Sequence, residues 1–313
     1  MDVKNMKSKF AGEDPRVPGF TETHFKAPLR VMIVGAHPDD PDVRCSGLAA
    51  SLAQAGHRVV FVSLTNGDKG HQFMESADLA ERRRAETAAS AKTLGIERYI
   101  VSDTPDCELE PTLEERRKLT KLIREFGPHI IITHRPGDYH CDHRATAQLV
   151  QDATYLVGVP LWCADCPVPQ TIPTVLFMGD RFSVPHPFRA DFIIDVSRHS
   201  ERIARAFACH ESQMFEWLAP EHGFSVDDVP PAHDKEGRLE FVRRSALHLV
   251  TDMARVFDKE TAMAFPEKKP EIVEVYEKSE YGRPLVPAER ELLASLGGVW
   301  LDGNETSKWT QVK

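Results

Sequence analysis

The sequence lacks any apolar run long enough to cross a membrane, and its longest hydrophobic runs have the length of a β-strand. Its first residues are polar and contain no apolar core segment, so we expect no signal peptide and a cytoplasmic protein. Six cysteines in 313 residues do not form the dense pattern of a disulfide framework. No GxGxxG follows the first predicted strand, which argues against a dinucleotide-binding site. The chain contains no internal repeat and no low-complexity tract.

A strong excess of positive charge is also absent. The net charge is −9 with acidic and basic residues interspersed, which disfavours nucleic acid or an anionic membrane as the main partner. An apolar content of 41% and a charged content of 28% are typical of globular proteins, and 313 residues suffice for a large α/β domain. We therefore expect a small-molecule partner and leave a homo-oligomer open.

Strands and helices alternate from residue 30 onward. Apolar runs bounded by Gly, Pro or polar residues predict strands, and segments with helical spacing predict the helices between them. The predicted strands cover residues 30–35, 57–64, 98–102, 129–133, 174–178 and 191–196. The predicted helices cover residues 46–55, 78–94, 113–126, 144–156 and 200–214. Alternations of this length indicate βαβ units, so we expect an α/β fold with a doubly wound, mostly parallel sheet.

The periodicity that predicts helices and strands is weaker at the two ends of the chain. Residues 1–29 lack periodicity and contain three prolines, which indicates an N-terminal arm. Residues 239–256 have helical spacing, whereas residues 264–313 are charged and interrupted by proline. We therefore expect a catalytic core over residues 30–215 and a C-terminal elaboration of helices and loops over residues 216–313 that completes the pocket.

Two polar clusters follow predicted strands near their carboxyl ends, where open α/β sheets bind ligands. His37, Asp39 and Asp40 come directly after the first strand, and Asp138-Tyr139-His140-Cys141-Asp142-His143 follows the fourth. His37, Asp40 and His143 offer two nitrogens and one carboxylate oxygen, a set that suits Zn²⁺ with a position left for water. The same set also accepts Fe²⁺ or another divalent metal. Asp39 would project from a different side and be free to move a proton, as in a metal-dependent hydrolase.

These clusters resemble two motifs of one family. Ala36-His37-Pro38-Asp39-Asp40, with Asp42 and Gly47 following, resembles the first motif of the PIG-L/LmbE-like N-deacetylases. His140-Cys141-Asp142-His143 resembles the second motif, in which proline is usual at the position of Cys141. Asp42 is a second departure, because glutamate is common there. Neither departure removes a proposed metal ligand.

The resemblance extends over roughly residues 30–215. Further segments that fit the family are Arg83-Arg84-Ala85-Glu86, Leu94-Gly95 and His210-Glu211-Ser212-Gln213. The family implies a Rossmann-like fold, one Zn²⁺ and hydrolysis of N-acetyl groups, commonly on glucosamine-containing substrates.

The resemblance also implies a role for each motif residue. The implied metal ligands are His37, Asp40 and His143. Asp39 would be the general base that takes a proton from the attacking water. His140, as an imidazolium, would stabilise the developing oxyanion or protonate the leaving amine. Asp142 would orient a histidine from outside the ligand shell.

Other polar side chains each have two interpretations. Asp68 could contact substrate hydroxyls or simply belong to a solvated turn, and Arg83 could reach the substrate or lie on a solvated helix face. Cys163-Ala164-Asp165-Cys166 is a single CxxC, for which packing is a better explanation than zinc binding. His210 and Gln213 could brace the site or cap a helix.

Three functions are compatible with the sequence. The first is a zinc-dependent hydrolase that removes an N-acetyl group from an amino sugar or its conjugate. The second is a zinc-dependent hydratase of an unsaturated dicarboxylate, which a cationic pocket built from Arg83 or Arg144 would favour. The third is a non-catalytic binding module that kept the metal. Asp39 argues against the third, because a site that only binds metal has no use for a free carboxylate there.

Overall fold

The computed structural model describes residues 28–221, 223–245 and 248–301. The predicted N-terminal arm lies outside these residues, except for its last two. An eight-stranded sheet forms the centre of the fold, with a hydrophobic core on each face. The predicted α/β class is therefore confirmed.

Strands and helices alternate along the chain, as the sequence predicts. The strands are β1 (Arg30–Gly35), β2 (Arg58–Ser63), β3 (Arg98–Val101), β4 (Ile130–Thr133), β5 (Thr174–Met178), β6 (Phe192–Asp195), β7 (Val273–Gly282) and β8 (Gly298–Trp300). The helices are α1 (Asp40–Gln54), α2 (Ser76–Leu94), α3 (Leu113–Phe126), α4 (Cys141–Leu156), α5 (Ser200–Phe207), α6 (Leu218–Glu221), α7 (Lys235–Ser245), α8 (His248–Val256), α9 (Asp258–Ala264) and α10 (Pro287–Ser295).

Five parallel strands, in the order β3-β2-β1-β4-β5, form the part of the sheet that carries the predicted site. Val31 of β1 pairs with Val59 of β2 on one side and with Ile130 of β4 on the other. The chain order reverses at β1, and doubly wound sheets bind ligands at such a switch point, outside the carboxyl ends of the strands. The loops that follow β1 and β4 are therefore neighbours, as expected from the sequence.

The apolar runs of β1 and β4 reflect burial on both faces. Val31 and Ile33 belong to the core on one face of the sheet, and Met32 and Val34 belong to the core on the other. Strands that helices cover on both sides have no solvent-facing positions, so their sequences are continuously apolar rather than alternating.

The C-terminal segment enters the sheet, which the sequence did not predict. β7 lies between β5 and β6 and is antiparallel to both, and β8 pairs with β6 at the edge. The charged residues of β7 made this strand difficult to predict from the sequence. Glu274 and Glu277 are nonetheless buried, because each carboxylate is paired within the protein.

Helix boundaries differ from the predictions mainly near the site. α1 begins at Asp40 rather than at residue 46, and α4 begins at Cys141 rather than at residue 144. The helix expected over residues 200–214 ends at Phe207, and a π-helix follows at Ser212–Trp217. In the described part of the chain, no helix is long and apolar enough to span a bilayer.

Candidate metal centre and active site

The turn between β1 and α1 carries the first polar cluster. The Asp40 carboxylate accepts hydrogen bonds from the backbone N–H groups of Ala36 and His37, at 2.9 and 2.7 Å. A side chain at Gly35 would collide with this arrangement, because its Cβ would lie 2.7 Å from Cβ of Asp40. The local backbone therefore fixes the Asp40 carboxylate at the carboxyl end of β1.

The three predicted ligand side chains converge at this point. Nδ1 of His37 lies 3.2 Å from Nε2 of His143 and 3.3 Å from one carboxylate oxygen of Asp40. Nε2 of His143 lies 3.4 Å from the other carboxylate oxygen of Asp40. Two nitrogens and a carboxylate thus face one another at distances that a single bound cation can bridge. A His/Asp/His metal-binding cluster is present at the switch point.

In both His37 and His143, the ring nitrogen that faces away from the cluster lies beside at least one carboxylate. Nε2 of His37 lies 3.1 Å from Asp106 and 3.3 Å from Asp142. Nδ1 of His143 lies 3.1 Å from Asp138. Such contacts fix the orientation of a metal-binding imidazole and leave its other nitrogen directed at the ion.

The electrostatic field at the cluster is negative. Burial by itself lowers the pKa of His37, but the charge of Asp40 and two further carboxylates raise that pKa well above its ordinary value. In the same way, Asp40 and Asp138 outweigh burial and raise the pKa of His143 to about 9. Despite its own burial, Asp40 has a pKa well below its ordinary value, because imidazoles face it. A field that stabilises protonated imidazoles also favours a bound cation.

His134 is part of the centre, although the sequence did not single it out. Its ring stacks on that of His143 with centroids 4.0 Å apart, and its Nε2 lies 3.2 Å from the Asp40 carboxylate. The donor atoms of His134, His143 and Asp40 form a second group close enough to hold a metal ion. The signal for His134 was its position directly after β4, at the same edge of the sheet. Asp106, from the loop after β3, was missed for lack of any motif.

Asp39 and His140 lie beside the ligand cluster. Asp39 accepts a hydrogen bond at 2.8 Å from Nη2 of Arg83, whose side chain is buried rather than on a solvated helix face. Nδ1 of His140 accepts a hydrogen bond at 3.2 Å from the backbone N–H of Asp142. The ring centroids of His140 and His37 are 4.5 Å apart. Both side chains line a cavity of about 400 Å³ that opens onto the cluster.

The polar residues for which the sequence left two interpretations mostly form contacts that support the surrounding structure. The Asp68 carboxylate accepts a hydrogen bond at 2.9 Å from the backbone of Asp106, and Asp68 is not among the residues that line the cavity. Its contact with substrate stays a prediction. Nε2 of His210 is buried 3.2 Å from Asp42, and Gln213 donates to the Gly70 carbonyl, so both brace the surroundings of the site.

The CxxC segment forms a turn. Arg124 donates to the carbonyl groups of Cys163 and Cys166, at 2.9 and 2.8 Å. Within the described residues, neither cysteine belongs to a group of potential metal ligands. These contacts favour the packing interpretation.

Comparisons with known proteins agree with the motifs. The family model described as PIG-L, GlcNAc-PI de-N-acetylase, matches residues 32–154. The diacetylchitobiose deacetylase of Thermococcus kodakarensis is 30% identical over 198 residues, which cover 60% of this chain and 72% of that protein.

Solved structures share the fold at lower identity. The N,N′-diacetylchitobiose deacetylase from Pyrococcus horikoshii has a TM-score of 0.61 and 19% identity, covering 89% of this chain and 93% of its own. The 4-carboxy-2-hydroxymuconate hydratase from Pseudomonas putida has a TM-score of 0.60 and 19% identity, covering 82% and 98%. With both motifs converging at one sheet edge and a relative of this identity and coverage, the chain belongs to the PIG-L family of LmbE-like deacetylases.

Proposed function

We propose that this protein is a zinc-dependent N-deacetylase that removes an acetyl group from an amino sugar or its conjugate. One observation carries the proposal. Beside the converging side chains of His37, Asp40 and His143 lies the carboxylate of Asp39, which is held by Arg83 rather than by the ligand cluster. A cluster of metal ligands with a separate carboxylate is the arrangement that metal-assisted hydrolysis requires.

The donor set fits a divalent cation. His37, Asp40 and His143 would hold it, and two imidazoles with one carboxylate are typical ligands of a catalytic Zn²⁺. When bound, the ion would lower the pKa of a coordinated water and polarise the amide carbonyl. The same ligands also accept Fe²⁺, so the native metal is a question for metal analysis.

Asp39 is the group that we assign as general base. Its carboxylate borders the cavity, and the buried Arg83 guanidinium fixes its orientation through the 2.8 Å hydrogen bond. Arg83 also donates to the Gly67 carbonyl at 3.2 Å, so its position is set from two sides. We therefore assign Arg83 to positioning Asp39, and its contact with substrate stays a prediction from the sequence.

His140 is suited to stabilise the oxyanion. The backbone N–H of Asp142 can only donate, so Nδ1 of His140 must accept, and the neutral ring then carries its proton on Nε2. Burial and the facing His37 lower the pKa of His140, which favours this neutral form over the imidazolium expected from the sequence. The proton on Nε2 is available as a hydrogen-bond donor to negative charge that develops on the substrate oxygen.

Two features support an acetylated amino sugar as the substrate. The Thermococcus and Pyrococcus relatives are named for diacetylchitobiose, a substrate of this class. The cavity volume of about 400 Å³ lies in the range of small-molecule sites. The cations that would favour the hydratase alternative are engaged elsewhere: Arg83 with Asp39, and Arg144 with the carbonyls of Asp138 and Tyr139. Cytoplasmic location and assembly into a homo-oligomer stay predictions from the sequence.

Acetate release tests the proposal. The purified protein is assayed with N-acetylglucosamine, N,N′-diacetylchitobiose and a glucosaminide conjugate, with and without chelator, while metal content is measured in the same samples. We expect chelator-sensitive acetate release from at least one substrate. Hydration of an unsaturated dicarboxylate without any acetate release would favour the hydratase instead.

Asp39→Asn tests the general base. We expect kcat to fall by about 10²–10⁴-fold while the metal content stays that of the wild type. Asp103→Asn is the matched control, because the Asp103 side chain is 98% exposed and lies outside the cavity lining. Full activity in Asp39→Asn would refute the assignment.

A further inference from the structure

The π-helix at Ser212–Trp217 contributes to one wall of the cavity. Met214 and Trp217 from this helix line the cavity, and so does Leu218, the residue directly after it. A π-helix is rare in proteins and frequently occurs at functional sites. The hydrolysis that we propose assigns no role to these three side chains.

Polar contacts with α2 and with the loop after β2 fix the position of the π-helix. Near its end, the Glu216 carboxylate accepts hydrogen bonds from Nη1 and Nη2 of Arg82, at 2.8 and 2.6 Å. Nε2 of His71 lies 2.8 Å from the same carboxylate. At its start, the backbone N–H and the hydroxyl of Ser212 donate to the carboxylate of Glu86, at 2.8 and 2.7 Å. The π-helix is thus held near both ends, so the side chains that it brings to the cavity extend from a fixed backbone.

Trp217 differs from the other described tryptophans in its indole N–H group. Trp162 donates this hydrogen bond to the Thr120 hydroxyl, and Trp300 donates it to the Arg290 carbonyl, both at 3.1 Å. Nε1 of Trp217 has no hydrogen-bond partner among the residues that the structure describes. It is also absent from the fully buried atoms without a partner, so a ligand can reach it. Because the N–H group of a buried tryptophan usually finds a partner within the protein, this one is available to a bound molecule.

We propose that Trp217 binds the sugar ring of the substrate, through its indole N–H and through the face of the indole; this inference rests on the proposed function. A sugar ring presents hydroxyl oxygens that accept a hydrogen bond and a face of C–H groups. Such C–H groups pack on an aromatic ring, whose face carries partial negative charge. An acetamido group by itself has no such face. Trp217 therefore selects N-acetylated sugars over acyclic N-acetyl compounds.

Product binding tests the contact without turnover. The purified protein with its metal is titrated with glucosamine, which retains the sugar ring, and separately with acetate, while tryptophan fluorescence and heat of binding are measured. We expect glucosamine to change the fluorescence of the wild type and acetate to leave it unchanged. In Trp217→Phe, we expect the fluorescence change to disappear and the Kd from calorimetry to rise by about 2–10-fold, because one hydrogen bond is lost.

Steady-state kinetics test the same contact during acetate release from N,N′-diacetylchitobiose. In Trp217→Ala, we expect KM to rise at least about tenfold, because both the hydrogen bond and the ring contact are lost. We expect kcat to change by less than about threefold, because the metal ligands and Asp39 are unaltered. Trp217→Phe keeps an aromatic ring in the same place, so it should fold as the wild type does and show a smaller rise in KM.

Trp162→Phe is the matched control, because Trp162 is also half-buried but lies outside the cavity lining. It should keep the fluorescence change and the wild-type KM. The inference is overturned, with the deacetylase proposal intact, if the wild type releases acetate but glucosamine leaves its fluorescence unchanged, or if the Trp217 variants behave as the control does. Glucosamine binding that depends on Trp217 in a protein without acetate release would keep the sugar contact and overturn the proposed function.

Discussion

Replacing Gly67 with alanine is expected to weaken both the fold and the proposed general base. Gly67 has a φ of 67°, in the left-handed region that L side chains rarely adopt. A Cβ atom there would lie 2.8 Å from Cδ of Pro38 and closer still to the guanidinium of Arg83. Arg83 must therefore move, and Arg83 is the residue that holds Asp39 through a 2.8 Å hydrogen bond.

Gly56 allows the backbone and steric contributions to be separated. Its φ is 83°, and no atom lies within 4 Å of the position that a Cβ would take. Backbone strain alone costs about 1–2 kcal/mol, which is the whole effect expected of Gly56→Ala. Overpacking against a buried side chain adds about 1–3 kcal/mol. We therefore expect Gly67→Ala to lose roughly 2–5 kcal/mol of unfolding free energy.

Denaturant unfolding and steady-state kinetics together test this prediction. Urea titration gives the unfolding free energy of each variant, and acetate release gives kcat/KM. Because a displacement of about 1 Å in a catalytic group can cost about 100-fold, we expect a loss of that order in Gly67→Ala and near wild-type activity in Gly56→Ala. Equal losses of stability in the two variants, or full activity in Gly67→Ala, would refute the reasoning.

Three further perturbations have outcomes fixed by the structure. Burial raises the pKa of Glu274 to about 7, so the folded state holds this proton more tightly than the unfolded chain does, and stability is lost as pH rises from about 4.5 to 7. Urea unfolding at pH 5 and pH 8 should show this loss, at most about 3 kcal/mol, in the wild type but not in Glu274→Gln. Burial and nearby arginines lower the pKa of His199 to about 4, so its contribution has the opposite sign: stability is lost as pH falls from about 6.5 to 4. The same measurement at pH 7 and pH 4.5 should show a smaller loss in His199→Gln. Removal of metal by a chelator is expected to lower the melting temperature, and one equivalent of Zn²⁺ should restore it. The reason is that an ion held by His37, Asp40 and His143 stabilises only the folded state. An unchanged melting temperature would contradict the ligand assignment.

The parallel part of the fold was predictable because its signals are local. β1, β4 and β5 are apolar runs with polar or turn residues at their ends, and burial on both faces requires such runs. α3 was predicted with its observed bounds, because Thr112 caps its start and Gly127 ends it with a φ of 62°. Each of these features depends only on residues that are close to one another in the sequence.

β7 was not predictable in the same way, because its charged residues are satisfied by distant parts of the chain. Glu274 accepts hydrogen bonds from the backbone of α1, and Glu277 lies 3.6 Å from Arg135. A sequence window around residue 274 shows only the charges and not their partners. The same reason applies to Asp106, whose contact with His37 joins loops after two different strands.

The positions of the site residues were easier to predict than the C-terminal strands, because the sheet topology brings residues that are distant in sequence close together. Once β1 and β4 are assigned to one parallel sheet, polar residues after both strands must meet at its carboxyl edge. This argument placed His37, Asp40 and His143 together without any knowledge of their contacts. It did not distinguish His134 from the proposed ligands, since His134 follows β4 even more closely.

The C-terminal segment acts on the site through α1 as well as through the sheet. Glu274 of β7 accepts hydrogen bonds at 2.7 and 2.8 Å from the backbone N–H groups of Gly47 and Leu48, within α1. Tyr276 donates to the same carboxyl group at 2.8 Å. Asp40 is the first residue of this helix, so a buried carboxyl group in the sheet fixes the element that carries a proposed metal ligand. Substitutions at Glu274 are therefore expected to change metal affinity, even though Glu274 does not line the cavity.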